Sequence, residues 1–262
     1  MKRIFGMMGA AVLLTLAIVV HAQEGRRGAS PVPTTARTAA PVDFTGYWVS
    51  VVTEDWRWRM VTPPKGDFAS VPLNDQGRRI GGAWDPAKDE AAGEQCKAYG
   101  AAAIMRVPGR LHITWQDDNT LRIDADAGTQ TRLFHFGGTP PRAMSPTWQG
   151  YSTAQWEKPI RGTSTPTAGL GAAREGARGR SLEVVTTHMR PGYLRKNGVP
   201  YSGNAVVNEY YDVSREPNGE TWFVVTTIVE DPQYLAEPFV TSTNFKKTPD
   251  AAAWNPLPCS SR

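Results

Sequence analysis

The chain has 262 residues, with 29 Lys and Arg against 25 Asp and Glu, a formal charge of +4. At 40% apolar and 21% charged, it is too apolar and too weakly charged for a disordered protein. Thr (25) and Val (21) outnumber Leu (12), which favours pleated strands over a helix bundle.

Met1-Lys2-Arg3 is a short basic stretch, and Ala10 to Val20 is apolar apart from Thr15. Val20-His21-Ala22 then offers small residues at the cleavage positions. This pattern predicts a secretory signal peptide over residues 1–22, and so a periplasmic or secreted protein. The apolar run is shorter than the ~20 residues that a membrane span needs. No membrane span is expected after cleavage. Losing Lys2 and Arg3 with the signal lowers the formal charge from +4 to +2. The remaining cations are dispersed, whereas polyanion binding needs a clustered basic face. No nucleic-acid partner is expected. Residues 23–42 carry no apolar period and read as a flexible leader. A single β-barrel domain is expected over 43–262.

Within that domain, strand-like runs begin at 46–53 and 56–61. In the second, Trp56-Arg57-Trp58-Arg59 alternates and would put two Trp on one strand face. A helical turn is expected over 73–80 and a helix over 85–98. Asp85 is a plausible N-cap, Pro86 suits the first helical position, and Gly100 follows the end. Cys96 lies in this segment, and its only counterpart is Cys259. In an oxidising compartment the two most simply form a disulfide. It would close a loop of roughly 160 residues, stabilised by ~5 kcal/mol of chain entropy at most. Neither Cys sits in a Cys-x-x-Cys or nucleophile motif.

Further strand-like runs follow at 101–107, 109–115, 120–126, 130–136, 148–156, 181–188, 204–213, 221–230 and 239–246. Turn residues separate several of them: Asp117-Asp118-Asn119, Ala127-Gly128 and Pro217-Asn218-Gly219. Many short strands with hairpin turns predict an all-β, mainly antiparallel barrel with one or two short helices. Two stretches, 157–180 and 189–203, read as long loops. The second holds Tyr193 and Tyr201. It is either a lid or a surface excursion packed on its own aromatics.

The hairpin 109–126 fixes a register. Pairing apolar with apolar sets Trp115 opposite Leu121, Ile113 opposite Ile123 and Leu111 opposite Ala125. His112 then stands opposite Asp124, and a two-residue turn at Ala127-Gly128 puts Thr131 beside Asp124. A His next to a carboxylate can be an oriented general base or a solvated cross-strand pair. Which one depends on whether that face points into the barrel.

No P-loop, Gly-x-Gly-x-x-Gly or Gly-x-Ser-x-Gly is present. His112, His135 and His188 fall on separate strands without metal-ligand spacing. No metal or cofactor is expected. Glu209 is the acid to watch, although an alternating strand there gives it an outward reading as well.

Three stretches carry a resemblance: Asp43-Phe44-Thr45-Gly46-Tyr47-Trp48, Pro146 to Glu157 (PTWQGYSTAQWE) and Glu230 to Phe239 (EDPQYLAEPF). Together they resemble a family of exported, mostly uncharacterised bacterial proteins, over roughly 43–259. The resemblance implies export and a lipocalin-like β-barrel, and supplies no catalytic residues. Many members carry Cys-x-Pro-x-Gly-x-Pro near the first Cys, where this chain reads Cys96-Lys97-Ala98-Tyr99-Gly100-Ala101.

Three functions fit these features. The first is a barrel binding a small, partly apolar ligand, aromatic or sugar-like, in a cavity lined by Trp56, Trp58, Trp115, Trp148, Tyr151 and Tyr201. The second is a hydrolase, lyase or isomerase on the same barrel. It would use His112 and Asp124, Arg132 for an anionic group, Tyr193 or His188 to close the site, and Glu209 as a further acid. The third is an envelope interaction module with a filled barrel. The sequence leaves the oligomeric state open.

Overall fold

The computed structural model describes residues 34–157 and 181–261. The expected signal peptide, the first part of the leader and nearly all of the 157–180 stretch lie outside the described residues.

The strands are β1 (Gly46–Val51), β2 (Arg110–Asp117), β3 (Thr120–Ala125), β4 (Ala127–Gly128), β5 (Gln130–Phe136), β6 (Tyr151–Trp156) and β7 (Leu182–Thr187). They continue with β8 (Gly192–Arg195), β9 (Val199–Tyr201), β10 (Val206–Arg215), β11 (Thr221–Glu230), β12 (Phe239–Thr248) and β13 (Leu257–Pro258). Nine of them close a barrel in the order β1-β12-β11-β10-β7-β6-β5-β3-β2. These nine correspond to nine of the eleven runs read from the sequence. All neighbours pair antiparallel except β5 and β6, which run parallel. A parallel pair needs a crossover of a dozen or more residues, and residues 137–150 supply it.

The other two runs are not strands. Residues 56–61 form a short helix, α1 (Trp56–Arg59). Asp55 adopts a left-handed conformation at φ 53°, and its carbonyl accepts from the amides of Trp58 and Arg59. The helical period then buries Arg59 and leaves Trp56 66% exposed. The expected pairing of two Trp on one strand face is lost. Residues 101–107 are also helical or turn-like. Ala101, Ala102 and Ala103 are consecutive and all buried, followed by a 3-10 turn at Ile104–Arg106. A barrel strand wet on one face alternates buried and exposed residues, and these three do not.

Among the described residues there are three short helices. In α2 (Asp75–Gly82) the Asn74 side chain accepts from the Gly77 amide at 2.9 Å. In α3 (Pro86–Ala91) Asp85 caps the Ala87 amide at 3.1 Å, with Pro86 in the first turn as expected. The helix is shorter than the 85–98 reading. Gly93 turns left-handed at φ 69°, and a separate 3-10 turn spans Gln95–Tyr99.

Strand alternation fills the barrel. Leu121, Ile123 and Ala125 point in from β3, and Phe223, Val225 and Val229 from β11. Trp48 packs edge-on to Phe223 at 4.6 Å, Phe223 stacks on Phe245 at 4.7 Å, and Phe134 meets Tyr211 at 5.5 Å. Each buried ring is worth ~1.5–3 kcal/mol relative to exposure.

A second cluster of buried residues joins Val71, Leu73, Leu194, Val199, Tyr201 and Phe239. The 189–203 stretch contributes to it as the β8–β9 hairpin, whose Leu194, Val199 and Tyr201 are buried. A Cβ on Gly100 would lie 2.2 Å from the Tyr201 hydroxyl, so this close approach requires glycine. The tail is fastened as expected: Cys96 and Cys259 form a disulfide with Cα atoms 5.1 Å apart. Beside it β13 pairs with β4.

Candidate functional site

The hairpin register is the one read from the sequence: Trp115 opposite Leu121, Ile113 opposite Ile123, His112 opposite Asp124, and Asp124 beside Thr131. The strand alternation decides its orientation. Leu111 and Ile113 are buried, so His112, Asp124 and Thr131 stand on the outer wall. There the carboxylate of Asp124 accepts from Arg122 Nε and Nη2 at 2.7 and 2.8 Å, and from the Thr131 hydroxyl at 2.5 Å. Burial pushes this carboxyl up, but those hydrogen bonds outweigh it and hold it below the usual carboxylate range. The His112 ring instead stacks on Tyr47 at 4.1 Å. The polar row is a cross-strand network open to solvent.

Arg132 and Glu209 are brought together on the opposite side of the wall. Both point inward and are buried, at 2% and 0% exposure. Arg132 Nη1 and Nη2 donate to the two oxygens of Glu209 at 2.9 and 2.6 Å. Tyr211 donates to Glu209 at 3.2 Å, and Arg132 Nη2 donates to Thr186 Oγ1 at 3.3 Å. Burial alone would lower the guanidinium's pKa; the Glu209 charge overcomes it and raises the pKa. This pair is enclosed by the aromatic core.

The other acid–base candidates lie elsewhere. Tyr193 donates to Asp89 at 2.8 Å, and Lys97 donates to the same carboxylate at 2.7 Å. Burial, then the Asp89 contact, push the Tyr193 phenol far above its ordinary value. His188 is left-handed at φ 57° and exposed, its ring 2.8 Å from the Thr187 hydroxyl. His112, His135 and His188 do not converge. No group of three or more metal-ligand side chains forms among the described residues.

The six aromatic candidates also separate. Trp56 is exposed, and Trp58 donates to Asp67 at 3.1 Å. Trp115 packs against the core with Phe136 and Trp156. Tyr201 is fully buried and its hydroxyl has no partner. Only Trp148 and Tyr151 share an open cleft. It lies on the outer wall beside the parallel β5–β6 seam, where only Phe134, His135 and Phe136 find partners on β6. The cleft encloses about 380 Å³ and is lined by Thr131, Leu133, His135, Met144, Trp148 and Tyr151, among others. Tyr151 stacks on His135 at 4.6 Å, and the Arg190 guanidinium covers Trp148 at 4.1 Å. Burial lowers the His135 pKa, with Asp117 opposing. Gln149 donates to the Tyr99 carbonyl at 2.7 Å and to Gln130 at 2.9 Å, while its own Oε1 stays unpaired.

Leu133 and Met144 were not singled out by sequence, and His135 was weighed there only as a metal ligand. His135 carried a signal, since its outward position follows from the β5 alternation; Met144 carried none. The chain matches no protein-family model, no curated protein and no solved structure.

Proposed function

We propose that this chain is an exported β-barrel that binds a small, partly apolar ligand, with the ligand seated on the outer wall at the β5–β6 seam. The observation that carries this reading is the Trp148–Tyr151 cleft. Its volume of about 380 Å³ falls in the ~300–1,000 Å³ range of small-molecule sites. It combines ring faces, Leu133 and Met144 with the polar groups of Thr131, Gln130 and Gln149. That mixture suits an aromatic ring or a sugar, which stack on a ring and use hydrogen bonds at the edge. The barrel interior supports the same placement, because Trp48, Phe134, Tyr211, Phe223 and Phe245 occupy it. Export fits the Cys96–Cys259 bond.

The test is a saturation-transfer NMR screen of monosaccharides and simple aromatic acids against wild type and Trp148→Ala. The reading expects hits on wild type that vanish in the variant. Hits of equal strength on both proteins would move the site away from the cleft.

A further inference from the structure

Three arginines meet outside the barrel, in a cleft that shares no residue with the one at the β5–β6 seam. Arg59 comes from α1, Arg106 from the 3-10 turn Ile104–Arg106, and Arg195 from the end of β8. All are buried, at 7%, 6% and 4% exposure. Their partners satisfy only part of each guanidinium. Arg59 Nε donates to the Arg106 carbonyl at 2.9 Å, and Nη1 donates to Glu54. Arg106 Nη2 donates to Asp55 at 2.8 Å. Arg195 Nη1 donates to the Ala69 carbonyl at 2.6 Å. Four nitrogens are left over: Arg59 Nη2, Arg106 Nη1, and Arg195 Nε and Nη2 are buried without any partner.

That is an expensive arrangement for a protein alone. A buried, unsatisfied donor costs ~1–3 kcal/mol, and more when charged. Arg195 also has no ion-pair partner among the described residues. The nearby Asp67 is taken by Arg57 and Trp58. Burial and the repulsion of Arg106 lower the Arg195 pKa to about 10. The same repulsion acts between Arg59 and Arg106. The cleft they line adds Lys196 and contains no carboxylate. Its void is about 30 Å³, against the ~10–15 Å³ minimum for one water. Trp58 covers Arg195, ring centroid to guanidinium 4.9 Å.

We propose that this cleft binds a phosphate-sized oxyanion, held by the unpaired N–H groups of Arg59, Arg106 and Arg195, with Lys196 at the mouth. Planar guanidinium forks match phosphate and carboxylate oxygens, and such charge-assisted bonds are the strong ones. The size of the void selects a free ion or the head of a small organic phosphate. Trp58 and Lys196 are only partly buried. A rotamer change in either opens the way to the nitrogens behind them.

The probe is inorganic phosphate, titrated calorimetrically at ionic strength held constant with NaCl. Wild type should bind one equivalent saturably. Lys196→Ala should bind several-fold more weakly, and Arg195→Met not at all. Displacement of the bound phosphate by phenyl phosphate would mark an organic phosphate head, and failure to displace it a free ion. Should Arg195→Met not fold, a tungstate-soaked crystal of the wild type decides. An anomalous peak in the cleft, with tungstate oxygens at hydrogen-bond distance from Arg195, supports the site. Absence of saturable binding, or a cleft holding only water under tungstate, overturns it.

Discussion

Glu209 receives both terminal nitrogens of Arg132, at 2.9 and 2.6 Å, in a barrel interior where neither side chain meets solvent. Removing one partner strands the other's charge. Glu209→Gln should therefore cost ~3–5 kcal/mol, as breaking a buried ion pair does. The paired replacement Arg132→Met with Glu209→Leu should cost much less, because no charge is left behind. Urea denaturation of the wild type and the two variants checks both.

The Cys96–Cys259 bond closes a loop that holds every barrel strand except β1, with a sequence separation of 163. Its loss should lower stability by up to ~5 kcal/mol through the unfolded chain. The barrel itself should still form, since β1 and β12 close it through their own ladder. Thermal melts with and without reductant should show a lower midpoint and an unchanged strand signature in far-UV circular dichroism.

His135 and Asp124 both contribute to the acid limb of stability. The His135 pKa is lowered from 6.5 by burial. A depressed folded-state pKa means its stabilising share is complete above 6.5. That share is lost as pH falls through the lower folded value. Asp124, held below 3.8 by Arg122 and Thr131 against the opposing pull of burial, contributes in the same direction at lower pH. Stability measured against pH should thus begin to fall below 6.5, before the carboxylates titrate, and His135→Gln should remove that early loss.

His112 touches the wall from outside, stacked on Tyr47 at 4.1 Å. Its replacement by Ala should cost ~0.5–1.5 kcal/mol, the worth of a ring pair. Ligand binding at the β5–β6 seam should be unchanged. Titrating the ligand into His112→Ala and wild type side by side checks this.

How far the sequence speaks depends on what each residue's neighbours contribute. Turn residues and apolar alternation carried the nine barrel strands and the 109–126 register down to the pair His112–Asp124. Period alone could not say which side of the wall is wet. Asp124 and Arg132 illustrate this: they sit on adjacent pairs of the same two strands, Asp124↔Thr131 and Ile123↔Arg132, yet on opposite faces. Glu209 read either as a catalytic acid or as an outward residue of an alternating strand, because its buried partner lies 77 residues away. Trp56 to Arg59 misled because an alternating tetrapeptide also fits one helical turn, and the left-handed Asp55 selects the helix. The arginine cleft was invisible for a similar reason. Arg59, Arg106 and Arg195 are isolated in sequence, and only the packed chain sums their charges.

The central claim places the ligand on the outer wall, and a crystal structure with the best screening hit tests it most directly. The account predicts density stacked on Trp148 and Tyr151 beside the β5–β6 seam, with the rings of Phe134, Tyr211 and Phe223 unmoved. Density inside the barrel, reached by displacing those rings, would contradict it.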